Sequence, residues 1–410
     1  MQADVLILGA GPAGSALARQ LAGAGFEVVI ADKKAFPRQK PCGEFLSPEC
    51  LPYLAELGLG GMLEELGAQR VLGMRLSGYG RAADGSFRQL DDRPGHGRSG
   101  YGIRRERFDH HLLRAAEASG AHFLPRHEFV SLQRDAGGRV TGAVLKAVDG
   151  APVAVTARHV VGADGVHSRV AKALGVQRKI GWLSQFALVA HYAGVPSRPR
   201  ADVHLLPGGF FAATTVDDGL YSLNLVLPQQ ALGKRTAADW DAFVDEYAAQ
   251  APALAERLQG GTRLAPWRGC GPFGFRTTTP TLPGAWLCGD AAGYIDPLTG
   301  EGIYFALFGA RSLGTQLAAA LHEPASEAEA MAAYRAARRR ELAPRVAASK
   351  LLQRAIRHPW LVGPFLGLLG RWPGLADLLV TMTGDTVHPR ELWRPGFWRT
   401  WNRAALGRSA

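Results

Sequence analysis

Apolar residues in the opening stretch of the chain fall in short unbroken runs. "DVLIL" (4–8) and "FEVVIADKK" (26–34) read as strands buried on both faces, and "SALARQLAGAG" between them has the spacing of a helix that ends on glycine. A strand, a turn, a helix and a second strand ending on an acid make a βαβ unit with parallel strands. Related patterns return in "YGIRRERFDHHLLRAAEASGAHFL" (101–124), a helix preceded by arginines and followed by a strand, and in "RHVVGADGVHSRVAKALG" (158–175). They return once more in "GAWLCGDAAGYIDPLTGEGI" (284–303), where a strand runs into Gly-Asp, small residues and a helix.

Between these pieces the period shortens. Residues 70–98 and roughly 176–230 alternate over runs such as "FALVAHYAG" and "LYSLNLVL", bounded by Gly, Pro and Asp, which predicts antiparallel strands and turns. "TAADWDAFVDEYAAQAPALAERL" (236–258) predicts one amphipathic helix. The pattern describes an α/β domain from residues 1–69, 99–175 and 276–330, interrupted by a β-rich lobe from 70–98 and 176–275 and followed by a helical region over 331–410.

The first turn carries chemistry. In "GAGPAG" (9–14) Gly9 permits a tight turn, Gly11 lets the backbone approach a pyrophosphate, and Gly14 allows close packing of helix on strand. The helix start supplies free N–H groups and positive dipole, and Asp32 ends the next strand where a carboxylate accepts from ribose hydroxyls. This is a Rossmann-like dinucleotide site. The further glycine-and-acid turns exceed what a nicotinamide cofactor needs and suit an extended FAD.

"GAGPAG", "RRERFD", "GADGVHSRV" and "GDAAGYIDPLTGEGI", in this order, resemble the flavoprotein superfamily with the p-hydroxybenzoate hydroxylase fold, over about residues 1–320. That superfamily includes flavin monooxygenases, flavin halogenases and geranylgeranyl reductases. The resemblance implies an FAD-binding domain of the glutathione-reductase and hydroxylase type, with the β lobe receiving substrate. It places Gly9, Gly11, Pro12, Ala13 and Gly14 at the pyrophosphate, Asp32 and Lys33 at the adenosine ribose, and Arg105 beside the pyrophosphate. Asp164 of the "DG" motif lies behind that strand, and Gly289 with Asp290 of the "GD" motif meets the ribityl chain. Pro297, Gly300, Glu301, Gly302 and Ile303 aim a helix start at the flavin ring, with Glu301 as a first-turn acid.

"FPRQKPCGEFLSPECLPYL" (36–54) is closest to the geranylgeranyl-reductase-like branch, which has "KPCGGG" where this chain has Lys40-Pro41-Cys42-Gly43-Glu44. Cys42 and Gly43 then lie close to the flavin. Cys42, Pro297, Gly300 and Gly302 are the candidate catalytic positions; Cys42 reads equally as a small apolar filler. The "YxWxFP" motif of the reductases has only "GGFFAATTVDDG" (208–219) as counterpart, and the "WxWxIP" of the halogenases has none. The expected activity is accordingly NAD(P)H- and O₂-dependent hydroxylation of a lipophilic aromatic, polyketide or prenyl-like compound, with double-bond reduction or halogenation as alternatives. NAD(P)H is the expected transient reductant. Trp182, Gln185, His191, His204, Phe210, Phe211, Tyr221 and Asn224 are the substrate candidates in the lobe.

Composition adds limits. With 47% hydrophobic and 20% charged residues the chain is an ordinary globular one, which excludes disorder. Cys42, Cys50, Cys270 and Cys288 have no metal-ligand or disulfide spacing and read as reduced thiols, so no metal is expected. No targeting signal precedes the first strand and the apolar run 359–370 is too short to span a bilayer, which predicts a cytoplasmic protein. The net charge of +11 is uneven: residues 331–410 hold 14 Lys and Arg against 4 acids, a balance of +10. That region also carries Trp360, Trp372, Trp393, Trp398 and Trp401, so it either packs back on the body or meets a membrane surface or a carrier protein. No nucleic-acid module accompanies the charge.

Overall fold

The computed structural model describes residues 1–88, 99–147, 150–294, 298–384 and 386–406. Its first layer is a parallel sheet in the order Ala285–Leu287, Pro152–Gly162, Gln2–Leu8, Val28–Asp32, His122–Pro125. Antiparallel strands Val140–Ala147 and His127–Arg134 extend it from Pro152–Gly162. Helices Pro12–Gly23, Arg105–Ala118 and Gly302–His322 cover one face, burying Leu17, Leu21, Phe108, Leu112 and Leu313 against Val5, Ile7 and Ile30. Residues buried on both sides explain why these strands read as continuous apolar runs.

The second layer is a mostly antiparallel sheet in the order Thr262–Arg263, Gln185–Ala193, Tyr221–Pro228, Gly209–Thr215, Ala201–Leu206, Gly73–Gly78, Arg81–Ser86. Here alternation decides everything. Leu188, Phe211, Leu223 and Leu225 face a core closed by the helices Trp240–Ala248 and Pro252–Arg257. Their neighbours Ala187, Phe210 and Val226 face the other way, toward the first domain. The predicted single helix over 236–258 is in fact broken. Pro252 starts a new helix, because it has no N–H to donate and drives Ala251 out of helical geometry, to φ −122° and ψ 72°.

Two features join the layers. The Glu327–Ala355 helix, about 43 Å long at 1.5 Å per residue, reaches the first domain through Arg335 to Thr281 (2.7 Å). It reaches the lobe where Gln185 donates to Gln353 (2.9 Å). The other is Asp217, fully buried at the tip of a lobe hairpin, which accepts from the Arg104 backbone N–H (2.7 Å), from Arg104 Nε (2.8 Å) and from Arg107 (2.9 Å). Burial alone pushes the Asp217 carboxyl up, but these arginine bonds outweigh it and hold the pKa below the usual range. Asp217→Asn is therefore expected to lose about 2–3 kcal/mol in urea unfolding at neutral pH, by removing the buried charged acceptor that Arg104 and Arg107 share and leaving the exposed Asp218 as the only acid they have in common. Since the folded pKa is depressed, that contribution is present above pH ~4 and fades as pH falls through the folded value. The wild-type advantage over the Asn variant is expected to shrink in the same window.

Candidate active site

Two connected chambers lie at the C-terminal ends of the parallel strands, and the lobe roofs only the inner one. The outer one, about 470 Å³, is lined by Gly9, Gly11, Asp32, Lys33, Arg38, Asp164 and Arg169 among others. The inner one, about 280 Å³, is lined by Gly11, Pro12, Ala13, Lys40, Cys42, Gly43, Glu44, Arg105, Gly289, Asp290, Gly300, Gly302 and Ile303, with the lobe above. Gly11, Lys40, Pro41, Ala163, Gly165, Val166 and His167 border both, so the chambers form one elongated slot.

The glycines divide by what surrounds them. A Cβ on Gly9 (φ +109°) would meet the Ala163 carbonyl at 2.4 Å, and one on Gly14 the Gly9 carbonyl at 1.9 Å, so both are fixed by backbone packing. Gly11 differs, for a Cβ there would meet only Arg38, at 3.6 Å. Its open side is space for a ligand at the start of the Pro12–Gly23 helix, where no side chain caps the first turn. Gly14 itself touches neither chamber. Gly300, at φ +73°, has the Phe45 ring 3.0 Å from where its Cβ would stand.

The charges form a relay along the floor. Asp32 accepts from the Ala10 N–H (3.0 Å) and the Lys34 N–H (2.9 Å) and lies 4.0 Å from Arg38, which lies 3.3 Å from Asp109. Asp109 holds Arg105 in a fork at 2.6 and 2.8 Å. Burial works against the Arg105 charge, yet Asp109 and the Cys42 sulfur outweigh it and raise its pKa. Lys40 fares differently: burial lowers its pKa and Arg105 lowers it further, with Asp290 opposing. The Asp290 carboxyl is raised by burial, against Lys40 and Arg105, and its side chain has no hydrogen-bond partner among the described residues. An acceptor without a donor and a lysine short of an anion face the same slot. An anionic ligand with hydroxyl groups satisfies both.

The remaining predicted residues separate. Asp164 accepts from the Arg169 and Val170 N–H groups (2.7 and 3.2 Å) and so caps a short helix, while still bordering the outer chamber. Glu301 is a correction: it stands at the N-cap, one residue ahead of the Gly302–His322 helix, and its buried carboxylate takes the Thr299 hydroxyl instead of facing the ring site. Pro297 lies outside the described residues. Of the lobe candidates only Phe210 and Asn224 line the inner chamber. Phe211 and Tyr221 point into the opposite core, His204 bonds Ser77 (2.7 Å), Gln185 bonds Gln353, and Trp182 lies under Arg354 and Arg357. His191 meets Glu44 (2.6 Å).

Sequence reasoning missed Ala187, Val189, Ala212 and Val226, which complete the ceiling. The period of two was the available signal, since these positions alternate with Leu188, Ala213 and Leu225 along their strands. It also underused Glu44. This residue sits at φ +55°, a backbone region that favours glycine, where the related branch has glycine. Its carboxylate accepts from the Arg105 N–H (3.2 Å) and pairs with His191.

Fold, slot and charge pattern together define an FAD-binding oxidoreductase. A family model described as an FAD binding domain matches residues 2–203. The chain is 30% identical to the menaquinone reductase of Mycolicibacterium smegmatis over 75% of its own length and 74% of that protein. It is also 30% identical to digeranylgeranylglycerophospholipid reductase 2 of Methanopyrus kandleri, over 82% of this chain and 81% of that one. A match to the menaquinone reductase of Mycobacterium tuberculosis is closer, 37%, but spans only 42% of this chain and 40% of that relative. Among solved structures, a flavin-dependent brominase superposes at a TM-score of 0.81, with 21% identity and 99% of both chains covered. The chain belongs to the FAD-dependent oxidoreductases of the p-hydroxybenzoate-hydroxylase fold, in the geranylgeranyl-reductase-like branch.

Proposed function

We propose that the protein saturates carbon–carbon double bonds of a prenyl-chain lipid, using FAD as the redox group. The observation that carries this reading is the ceiling of the inner chamber, where Ala187, Val189, Phe210, Ala212 and Val226 leave Asn224 and the Cys270 thiol as the polar side chains that the lobe's sheet contributes among the described residues. A hydrocarbon chain needs such a surface, whereas a phenol or other polar aromatic needs a group to hold its hydroxyl. Menaquinone and digeranylgeranylglycerophospholipid, named in the two relatives, both carry prenyl chains, which supports the same substrate class.

FAD fits the slot: Gly11 with the uncapped helix start would hold its pyrophosphate, Asp32 its adenosine ribose, Asp290 its ribityl hydroxyls, and Lys40 with Arg105 would balance its negative charge. When bound and reduced, it supplies a hydride to one carbon of the double bond. The other carbon needs a proton, and here the chain's own residues act. Cys42 Sγ lies at the chamber wall, 3.4 Å from the Glu44 N–H, and Glu44 borders both the inner chamber and a second cavity that contains His191. Cys42 delivers the proton and the Glu44–His191 pair resupplies it from outside. NAD(P)H, bound transiently, would supply the reducing equivalents.

Cys42→Ala is expected to retain bound FAD and to lower turnover roughly a hundredfold; full activity would remove the cysteine from the chemistry. Hydroxylation, which the sequence alone ranks first, is the second reading, favoured by the missing Trp and Pro in "GGFFAATTVDDG" (208–219). Product masses decide between them when the holoenzyme is given NADPH, air, halide and a panel of prenyl lipids and aromatics. Gain of two hydrogens on a prenyl lipid is expected; gain of oxygen or of halogen overturns the proposal.

A further inference from the structure

The helix Pro359–Arg371 packs its inner side, Val362, Leu366 and Leu369, on Ala83 and Ala376. Its outer side should be polar, as on any surface helix. Instead Leu361, Phe365 and Leu368 are 38%, 38% and 41% exposed, and Trp372 just beyond the helix is 59% exposed. Spaced i, i+4, i+7 and i+11, they form one apolar stripe with no charge in it. Trp360, Trp393 and Trp398 are exposed as well. Arginine accompanies these rings: Arg371-Trp372, Trp393-Arg394 and Trp398-Arg399 are exposed pairs, and none of the three arginines forms an ion pair among the described residues. No helix of the described residues is long and apolar enough to cross a membrane.

We propose that this face docks, in the plane of the interface, on a bilayer of anionic lipid. Exposed apolar side chains of this kind enter the headgroup boundary, tryptophan settles at headgroup depth, and unpaired arginines meet lipid phosphates. The excess of 14 Lys and Arg over 4 acids in residues 331–410 has the matching sign. The surface goes beyond the proposed reaction and does not depend on it, but its place in the fold is telling. Cross-strand rows on one face of the lobe sheet run from Val189 through Asn224, Ala212 and Val203 to Leu76 and Ala83. One end of that face is the ceiling of the inner chamber, and the other end is covered by the docking helix.

The test is flotation of the full FAD-loaded protein with vesicles of phosphatidylcholine alone or mixed with phosphatidylglycerol. Binding is expected to the mixed vesicles, to weaken with salt, and to fall at least tenfold in a variant carrying Leu361→Gln, Phe365→Gln, Leu368→Gln and Trp372→Gln, with flavin content unchanged. An Arg371→Gln, Arg394→Gln, Arg399→Gln variant is expected to lose the preference for anionic lipid. Absence of binding, binding that the first variant leaves intact, or a lipid-free dimer that the first variant turns into monomer would each overturn the proposal, the last by assigning the face to a second copy of the chain.

Discussion

Gly11→Leu is expected to give a folded, colourless protein. Gly11 has φ −74°, which any residue adopts, and its missing side chain opens on the slot with only the Arg38 guanidinium within reach. A leucine there would fill the space proposed for the pyrophosphate, so FAD affinity should fall by a hundredfold or more, about 2.7 kcal/mol, while the melting temperature without flavin stays near that of the wild type. Gly14→Ala is the contrast, because its Cβ would stand 1.9 Å from the Gly9 carbonyl. That variant is expected to lose the fold along with the flavin. Titration with FAD beside thermal unfolding separates the two outcomes, and a Gly11 variant that still purifies yellow would contradict the placement of the pyrophosphate.

Glu44→Gly is the second large effect, and its two parts oppose each other. Glycine relieves a left-handed backbone that costs a side-chain-bearing residue on the order of 1 kcal/mol, but it removes the bonds to His191 and to the Arg105 N–H. Stability should therefore change little. Turnover should not: without the pair behind Cys42, proton supply slows and kcat is expected to fall on the order of a hundredfold. A glycine variant with wild-type kcat would show that Glu44 serves the position of the loop and nothing more. Retention of a glutamate in a conformation made for glycine is the local inconsistency that points to function.

Glu44 and His191 also mark where the sequence stops being legible. They lie 147 residues apart, Glu44 where the chain departs from its motif and His191 in no motif, so only the packing of lobe on domain brings them together. The glycine turn was legible because its logic is local: Gly9, Gly11 and Gly14 act within six residues, and the strands and helix around them declare themselves by period. The ceiling was half legible, since alternation separates Ala187 and Val189 from Leu188 and Ala190, but which set faces the slot depends on what each face meets. Local chemistry also misled. Pro252 sits on the apolar period of a helix that it breaks, and Glu301, placed as a dipole-complementing acid, spends its carboxylate on Thr299.

The most direct test of prenyl reduction is an anaerobic single turnover. FAD-loaded protein is reduced, freed of excess reductant and mixed with a prenyl lipid that has no quinone head, such as a digeranylgeranylglycerophospholipid, while the flavin spectrum and the lipid's mass are followed together. The account predicts that oxidised flavin returns without oxygen, at the rate at which the lipid's prenyl chain gains two hydrogens, and that Cys42→Ala slows both. Flavin that stays reduced until air is admitted, with oxygen then appearing in a product, would contradict it.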